Sequence, residues 1–196
     1  DVSGGPPAEL IDRGIINVRL NGDDALVTGR IPSLGALITA HVQPRQPFPY
    51  EAVIVMNRID LDPVIAIAGL QSGFVTGTAS LSALARGALS TPADSTVFVN
   101  LQDIHADVSS VPIRLASPSR LSWDHGLTID TLDLAVGKGR LLASGRLAEG
   151  GIETARWQTT FKGDLGEVLR IGRPFGVPEQ LTASGRVDLT WSSTAG

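Results

Sequence analysis

The sequence predicts an all-β protein, an antiparallel sheet with strong curvature and one or two short helices. Three observations carry this expectation. Apolar and polar residues alternate in many short runs, and Gly, Pro, Asp and Ser separate the runs, as in a chain of strands and turns. One five-residue pattern recurs four times, as Val27-Thr28-Gly29-Arg30-Ile31, Val75-Thr76-Gly77-Thr78-Ala79, Ala143-Ser144-Gly145-Arg146-Leu147 and Ala183-Ser184-Gly185-Arg186-Val187. Each copy reads as a half-buried strand with glycine at its centre. Finally, two alternating runs change phase midway. A one-residue slip moves apolar side chains to the other face, so a β-bulge or a bend is needed to restore the facing.

In chain order, Ile16, Val18 and Leu20 mark a first strand, followed by the run through Gly29. Ala52, Ile54 and Met56 alternate with Val53, Val55 and Asn57, so this run is apolar on both faces. Asp60-Leu61-Asp62-Pro63-Val64-Ile65 offers an Asp cap, an early Pro and a closing Gly69, the marks of a short helix. After the run through Gly77, Ser90–Ser95 reads as a loop. Val97, Val99 and Leu101 then alternate, but Ile104, Ala106 and Val108 continue in the opposite phase. Ile113 and Leu115, then Leu121 and Trp123, form short runs. Asp124-His125-Gly126 reads as a hairpin turn. Leu127 and Ile129 are followed, out of phase, by Leu132, Leu134 and Val136. In Asp164-Leu165-Gly166-Glu167-Val168-Leu169 the spacing is that of a capping box. Asp164 would accept the free amides, Glu167 would reach back, and Gly172 would end the helix.

Leu61 and Leu165 stand at the same spacing as Val64 and Val168, and the four glycines pair as first with third and second with fourth. The expected organisation is one continuous β-repeat fragment of a larger protein over residues 1–196, with a repeat junction near 150–165. Each long unit would hold a strand, a short helix, a Gly-centred strand and further strands. Glycine within a strand marks a tight bend or a close approach, or simply tolerates a bulge or a strand end. Both readings apply to Gly29, Gly77, Gly145 and Gly185.

Composition narrows the function classes. Apolar residues make up 42% of the chain but aromatics only 5%, and 22 Gly and 12 Pro favour turns over a helical bundle. The net charge of −4, without a block of like charges, argues against a nucleic-acid footprint or a polybasic membrane patch. With no cysteine, disulfides and thiolate chemistry are excluded. No apolar run reaches the roughly 18 residues of a membrane span, and the first residues do not resemble a signal peptide. His41, His105 and His125 lack metal-ligand spacing. Helix capping explains Asp60 and Asp62, and Gly137-Lys138-Gly139 lacks the spacing of a phosphate loop and reads as a turn. No Gly-x-Ser-x-Gly elbow occurs. Neither an enzyme nor a cofactor is expected.

Three stretches resemble a known family. The first runs from Tyr50 to Ile65, with Arg58-Ile59-Asp60-Leu61 leading into the helix. A second runs from Val111-Pro112-Ile113-Arg114-Leu115 through Pro118, Leu121, the Asp124-His125-Gly126 turn, Leu127, Ile129, Leu132 and Leu134 to Gly145-Arg146-Leu147. The third is the short helix followed by a Gly-centred strand, before both Gly77 and Gly185. Together, over roughly residues 14 to 192, they resemble the large AsmA-like proteins of Gram-negative envelopes, in particular the C-terminal repeat region of the TamB family. The likeness is one of apolar positions and turns.

That resemblance implies an elongated sheet curled into a half-pipe, or β-taco, with an apolar groove. It implies a periplasmic bridge segment whose parent is anchored in the inner membrane, with phospholipid acyl chains as cargo and an outer-membrane barrel of the TamA type as partner. The groove residues expected on this basis are Val97, Val99, Leu101, Ile113, Leu115, Leu121, Trp123, Leu127, Ile129, Leu132, Leu134 and Leu141. Trp123, Trp157 and Trp191 would line the groove or cover its rim. Two other readings stand beside it: a chaperone-like module that receives client β-strands at an open edge, and a structural β-solenoid spacer with a closed core.

Overall fold

The structure, a computed structural model, describes residues 14–62, 74–148, 155–173, 176–178 and 180–193. These residues form one antiparallel sheet of twelve strands and one short α-helix. The strands are β1 (Ile15–Asn21), β2 (Asp24–Ile31), β3 (Ala36–Val42), β4 (Pro49–Asp60), β5 (Val75–Ala88), β6 (Thr96–Val108), β7 (Val111–Leu115), β8 (Ser119–Trp123), β9 (Gly126–Val136), β10 (Gly139–Ala148), β11 (Arg156–Asp164) and β12 (Arg186–Ser193). The helix, α1, covers Leu165–Gly172.

Each strand pairs with its neighbours in sequence, apart from one place. β7 and β8 share a single strand position between β6 and β9. β6 pairs with β8 along Val97–Leu101 and with β7 along His105–Val108. The gap between the two is residues 116–118, where Pro118 has no N–H to give a ladder. Its backbone is nevertheless satisfied: Ala116 N–H donates to the Asp133 carbonyl at 2.8 Å. The Ser119 hydroxyl, 1% exposed, donates to the Thr131 carbonyl at 2.7 Å.

This gap is one point on a crease that crosses the sheet. In β6 the register slips by one residue at Gln102, and in β9 by one residue between Ile129 and Leu132. These are the two phase changes visible in the sequence, and both are bulges. A third bulge, Asn57-Arg58 in β4, lies opposite Ser80 of β5. There Arg58 takes a positive φ of 53° and its N–H donates to the Ser80 hydroxyl at 3.1 Å. The run Ala52–Asn57, apolar on both faces in the sequence, conceals this bulge, after which Ile59 takes over the facing of Met56. Each extra residue bends its strand and increases its twist. The irregularities lie side by side from β4 to β9, so the bend is shared across the sheet.

Register assigns every paired residue to one of two faces. One face, called inner here, carries Ile16, Val18 and Leu20 on β1 and continues in register through Val27, Ile38, Ile54, Leu81, Val99, Leu121, Ile129, Leu141 and Phe161 to Leu189 on β12. The buried apolar strand residues, among them Ala36, Ile59, Ala79, Ala106, Val136 and Ala143, all belong to this face. For Val136 the cover is α1, whose Val168 and Ile171 pack against its cluster.

Asp164 caps α1, its Oδ1 accepting the Gly166 and Glu167 amides at 2.9 and 3.3 Å, and the helix closes at Gly172. The reciprocal half of the expected capping box is absent. The Glu167 carboxylate, 7% exposed, turns away from Asp164 and accepts the Lys138 N–H of the β9–β10 turn at 3.1 Å. Tertiary structure offers that amide close by, so it displaces the local bond. The Asp60 cap has the same form, with Oδ1 accepting the Asp62 amide at 3.1 Å. The rest of the helix expected after it, from Pro63 onward, lies outside the described residues.

The two matched caps support the second-with-fourth pairing of the repeat, since both stand between an ending strand and the Gly77 or Gly185 segment. The first-with-third pairing does not hold in strand count: β3 and β4 separate Gly29 from its cap, but only β11 separates Gly145 from Asp164. Nor is the fourth Gly-centred run a full strand, since β12 begins at Arg186.

Candidate functional site

The inner face is the feature that a function must explain. All the groove residues expected from the sequence lie on it. Val99, Leu121 and Ile129 are direct neighbours across β6, β8 and β9, with Val97, Trp123 and Leu127 in the next row. Beyond the crease, Leu115, Leu134 and Leu141 form a row across β7, β9 and β10. Leu101, Ile113 and Leu132 complete the same surface, opposite Leu81, Val136 and Ala143. Ile129 is buried, Trp123 is exposed, and the rest are half-buried.

The face extends further than the expected set. Val27, Ile31, Ile38, Ala52 and Ile54 continue it toward β1, where alanine and glycine are frequent inward residues. The alternation in Ala36–Val42 carried that signal in the sequence, but the Thr and His between its apolar residues made it less conspicuous. No Asp, Glu, Lys, Arg or His occupies an inward paired position on the described strands.

The two ends of the sheet differ from its middle. On β1, Ile16, Val18 and Leu20 are 70%, 62% and 72% exposed, and on β12 Leu189 and Trp191 are each about half exposed. Among the described residues the apolar surface therefore reaches both outer strands uncovered. Trp191 stands in the exposed zone of β12 and Trp123 is exposed on β8 within the sheet, whereas Trp157 is half-buried and its Nε1 donates to the Thr159 hydroxyl.

Near β7, β9 and β11 the inner face is closed. Val111, Val136 and Phe161 form a buried cluster, and Val168 and Ile171 of α1 pack on it together with Ile113, Leu134, Leu141 and Val187. The helix acts as a plug at one end of the apolar surface.

Charges lie on the outer face. Asp133 and Arg140 form a two-pronged ion pair across the β9–β10 hairpin, with Nε to Oδ1 at 2.8 Å. The guanidinium bond holds the Asp133 carboxyl below its ordinary value against the opposing effect of burial, and the same bond raises Arg140. Arg86–Glu51, His41–Asp24 and His105–Asp103 are exposed pairs at 2.7, 3.0 and 2.9 Å, of the kind that contributes little to stability. Among the described residues no three metal-ligating side chains converge, and no helix is long and apolar enough to cross a membrane.

The outer face also carries apolar residues, such as Leu37 and Leu142, and one contiguous group of three. Val53, Leu84 and Phe98 are neighbours in register across β4, β5 and β6. They line a depression of about 510 Å³, rimmed by Asn100, Arg120 and Asp130. Comparison with known proteins finds no matching family model, no similar curated protein and no similar solved structure.

Proposed function

We propose that the inner face is a lipid-shielding trough: a segment of a periplasmic bridge that keeps phospholipid acyl chains out of water between two membranes. One observation carries this reading. An uncharged, largely apolar surface continues on one face from β1 to β12, across the bulges, and remains exposed on both outer strands. A globular core would be covered by a second layer. A surface that guides acyl chains needs width, apolarity and an open side, and needs no catalytic group. Each methylene withdrawn from water contributes about 0.8 kcal/mol, so shape and apolarity suffice to hold a chain of ordinary length. The parent protein would act with an outer-membrane barrel partner, as the resemblance of the repeat pattern implies.

The test uses two adjacent positions on β8 with opposite facing. A photo-crosslinking amino acid at Leu121, on the inner face, is expected to yield phospholipid adducts in cells, and the same group at Ser122 to yield few. Equal adduct yields from the two positions, or none from either, would refute the trough.

A specific observation also favours the strand-addition reading. All of β1 is exposed, and its only charge is Arg19. Nothing pairs with its outer edge among the described residues, and such an edge is a ready template for another strand. Crosslinks from Asn17 to a client protein, with none from Leu121 to lipid, would select that reading.

A further inference from the structure

We infer that the outer face carries a binding site for a phosphate-bearing anion, in the basin between the β9–β10 turn and the paired ends of β11 and β12. The chain has only two lysines, Lys138 and Lys162. Both line this one cavity of about 800 Å³, together with Arg186. That is a concentration of cations on a protein whose net charge is −4.

The basin is built, not a chance gathering of surface side chains. Lys162 and Asp188 sit opposite each other in the β11–β12 register, as do Asp164 and Arg186. Lys138 enters from the turn, whose backbone is clamped by the buried Glu167 carboxylate accepting the Lys138 N–H at 3.1 Å. Gly137 is required beside it, because a Cβ there would lie 2.4 Å from that carboxylate. The position of the lysine is thus fixed by a side chain of the plug helix.

Two carboxylates share the basin, and both are already engaged. Asp188 pairs with Lys162 at 3.0 Å. Asp164 accepts the first amides of α1. Lys138 and Arg186 have no ion-pair partner among the described residues, and both are exposed. They are the two cations available to an incoming anion, with the Asp188-paired Lys162 lining the same basin. Arg140, directly opposite Lys162 on the neighbouring strand, is paired with Asp133 and lies outside the basin's lining. A tetrahedral phosphate, with several acceptor oxygens, suits a lysine and an arginine converging from separate strands. The phosphate of a lipid headgroup and that of a soluble phosphate compound present the same chemistry. This inference rests on side chains of the outer face and stands whether or not the inner face holds acyl chains.

The experiment compares the full chain with the double variant Lys138→Ala/Arg186→Ala and with a control, Arg19→Ala/Arg30→Ala, that removes equal charge elsewhere. Two probes are used: inorganic phosphate, followed by shifts of the Gly163 amide signal in the basin lining, which every variant keeps, and vesicles of phosphatidylglycerol against vesicles of phosphatidylcholine. The expected result is saturable binding to at least one phosphate probe that weakens roughly tenfold or more in the basin variant and remains unchanged in the control. Vesicle binding alone identifies a headgroup site, and phosphate binding alone a soluble ligand. Circular dichroism confirms that each variant is folded. Absence of binding to both probes, or an equal loss in the control, would overturn the site. Loss of the Leu121 lipid adducts with the basin intact would separate failure of the trough from failure of this inference.

Discussion

Alanine at Gly77 and Gly145 is expected to destabilise the sheet strongly, whereas alanine at Gly29 is not. At Gly77 the backbone φ is +132°, and a Cβ would lie 2.1 Å from the His105 carbonyl oxygen and 2.6 Å from the Ala106 Cα on the neighbouring strand. At Gly145 φ is +143°, and the same atom would meet the Arg156 oxygen at 2.2 Å and the Trp157 Cα at 2.7 Å. Both obstacles are backbone, so relief requires the strands to part. The unfavourable φ costs about 1–3 kcal/mol, and each ladder hydrogen bond lost on parting adds about 0.5–1.5 kcal/mol. A total of roughly 2–4 kcal/mol per substitution follows from these two contributions. For a domain of this size that lowers the unfolding temperature by about 5–15 °C. Gly29 lies in ordinary extended backbone, and its Cβ would make normal contact with Ile38 at 3.6 Å. Substitution there is expected to be neutral, or stabilising by up to about 1 kcal/mol through the unfolded chain. Urea unfolding of the three single variants gives the comparison. If Gly77→Ala or Gly145→Ala unfolds within about 0.5 kcal/mol of the unsubstituted chain, or if Gly29→Ala falls as far as either, the reasoning about close strand approach is wrong.

Other expected outcomes address the turns, the ion pair, the crease and the plug. Ser109 and Ser110 form the β6–β7 turn with φ values of 48° and 64°, so Ser110→Gly is expected to raise stability by about 1 kcal/mol, read as a higher urea midpoint. Asp133 is held below its ordinary value by Arg140. The pair therefore stabilises fully above the unfolded carboxylate value of about 3.9 and loses its effect as pH falls through the lower folded value. Asp133→Asn should unfold earlier than the unsubstituted chain at neutral pH, with the gap closing below about pH 4; a gap that stays constant down to pH 2 would show that the pair does not matter. Deleting Gln102 removes the β6 bulge but leaves Ile104, Ala106 and Val108 facing inward in regular alternation, so the local bend is lost and a lower urea midpoint with cooperative unfolding retained is expected. Phe161→Ala should cost about 3–5 kcal/mol and release α1, seen as faster amide exchange in the helix.

Much of the architecture was legible because alternation is a local signal. The phase changes at Leu101/Ile104 and Ile129/Leu132 are visible without any structure, and they mark two points of the crease. The β4 bulge was not legible, because Val53 and Val55 on the outer face hid the change from Met56 to Ile59. The strand Arg156–Asp164 lacks a clear apolar alternation. Its inward residues are Trp157, Thr159, Phe161 and Gly163, a mixture that sequence pattern does not separate from a loop. Glu167 had the spacing of a capping box, but its true partner, Lys138, lies far away in sequence and near only after folding. For the same reason the basin of Lys138, Lys162 and Arg186 could not be read from the sequence: its members come from three separate strand ends. The apolar rows from Val97 to Leu141 were readable one strand at a time. That they join those of β1 to β5 into one surface depends on register.

The most direct test of the trough is native mass spectrometry of the protein purified without detergent from phospholipid-containing cells. A species carrying bound phospholipid is expected, sharply reduced in Val99→Asp on the inner face and retained in Phe98→Asp, the adjacent residue on the outer face. Protein free of lipid, or equal lipid loading in the two variants, would contradict the account.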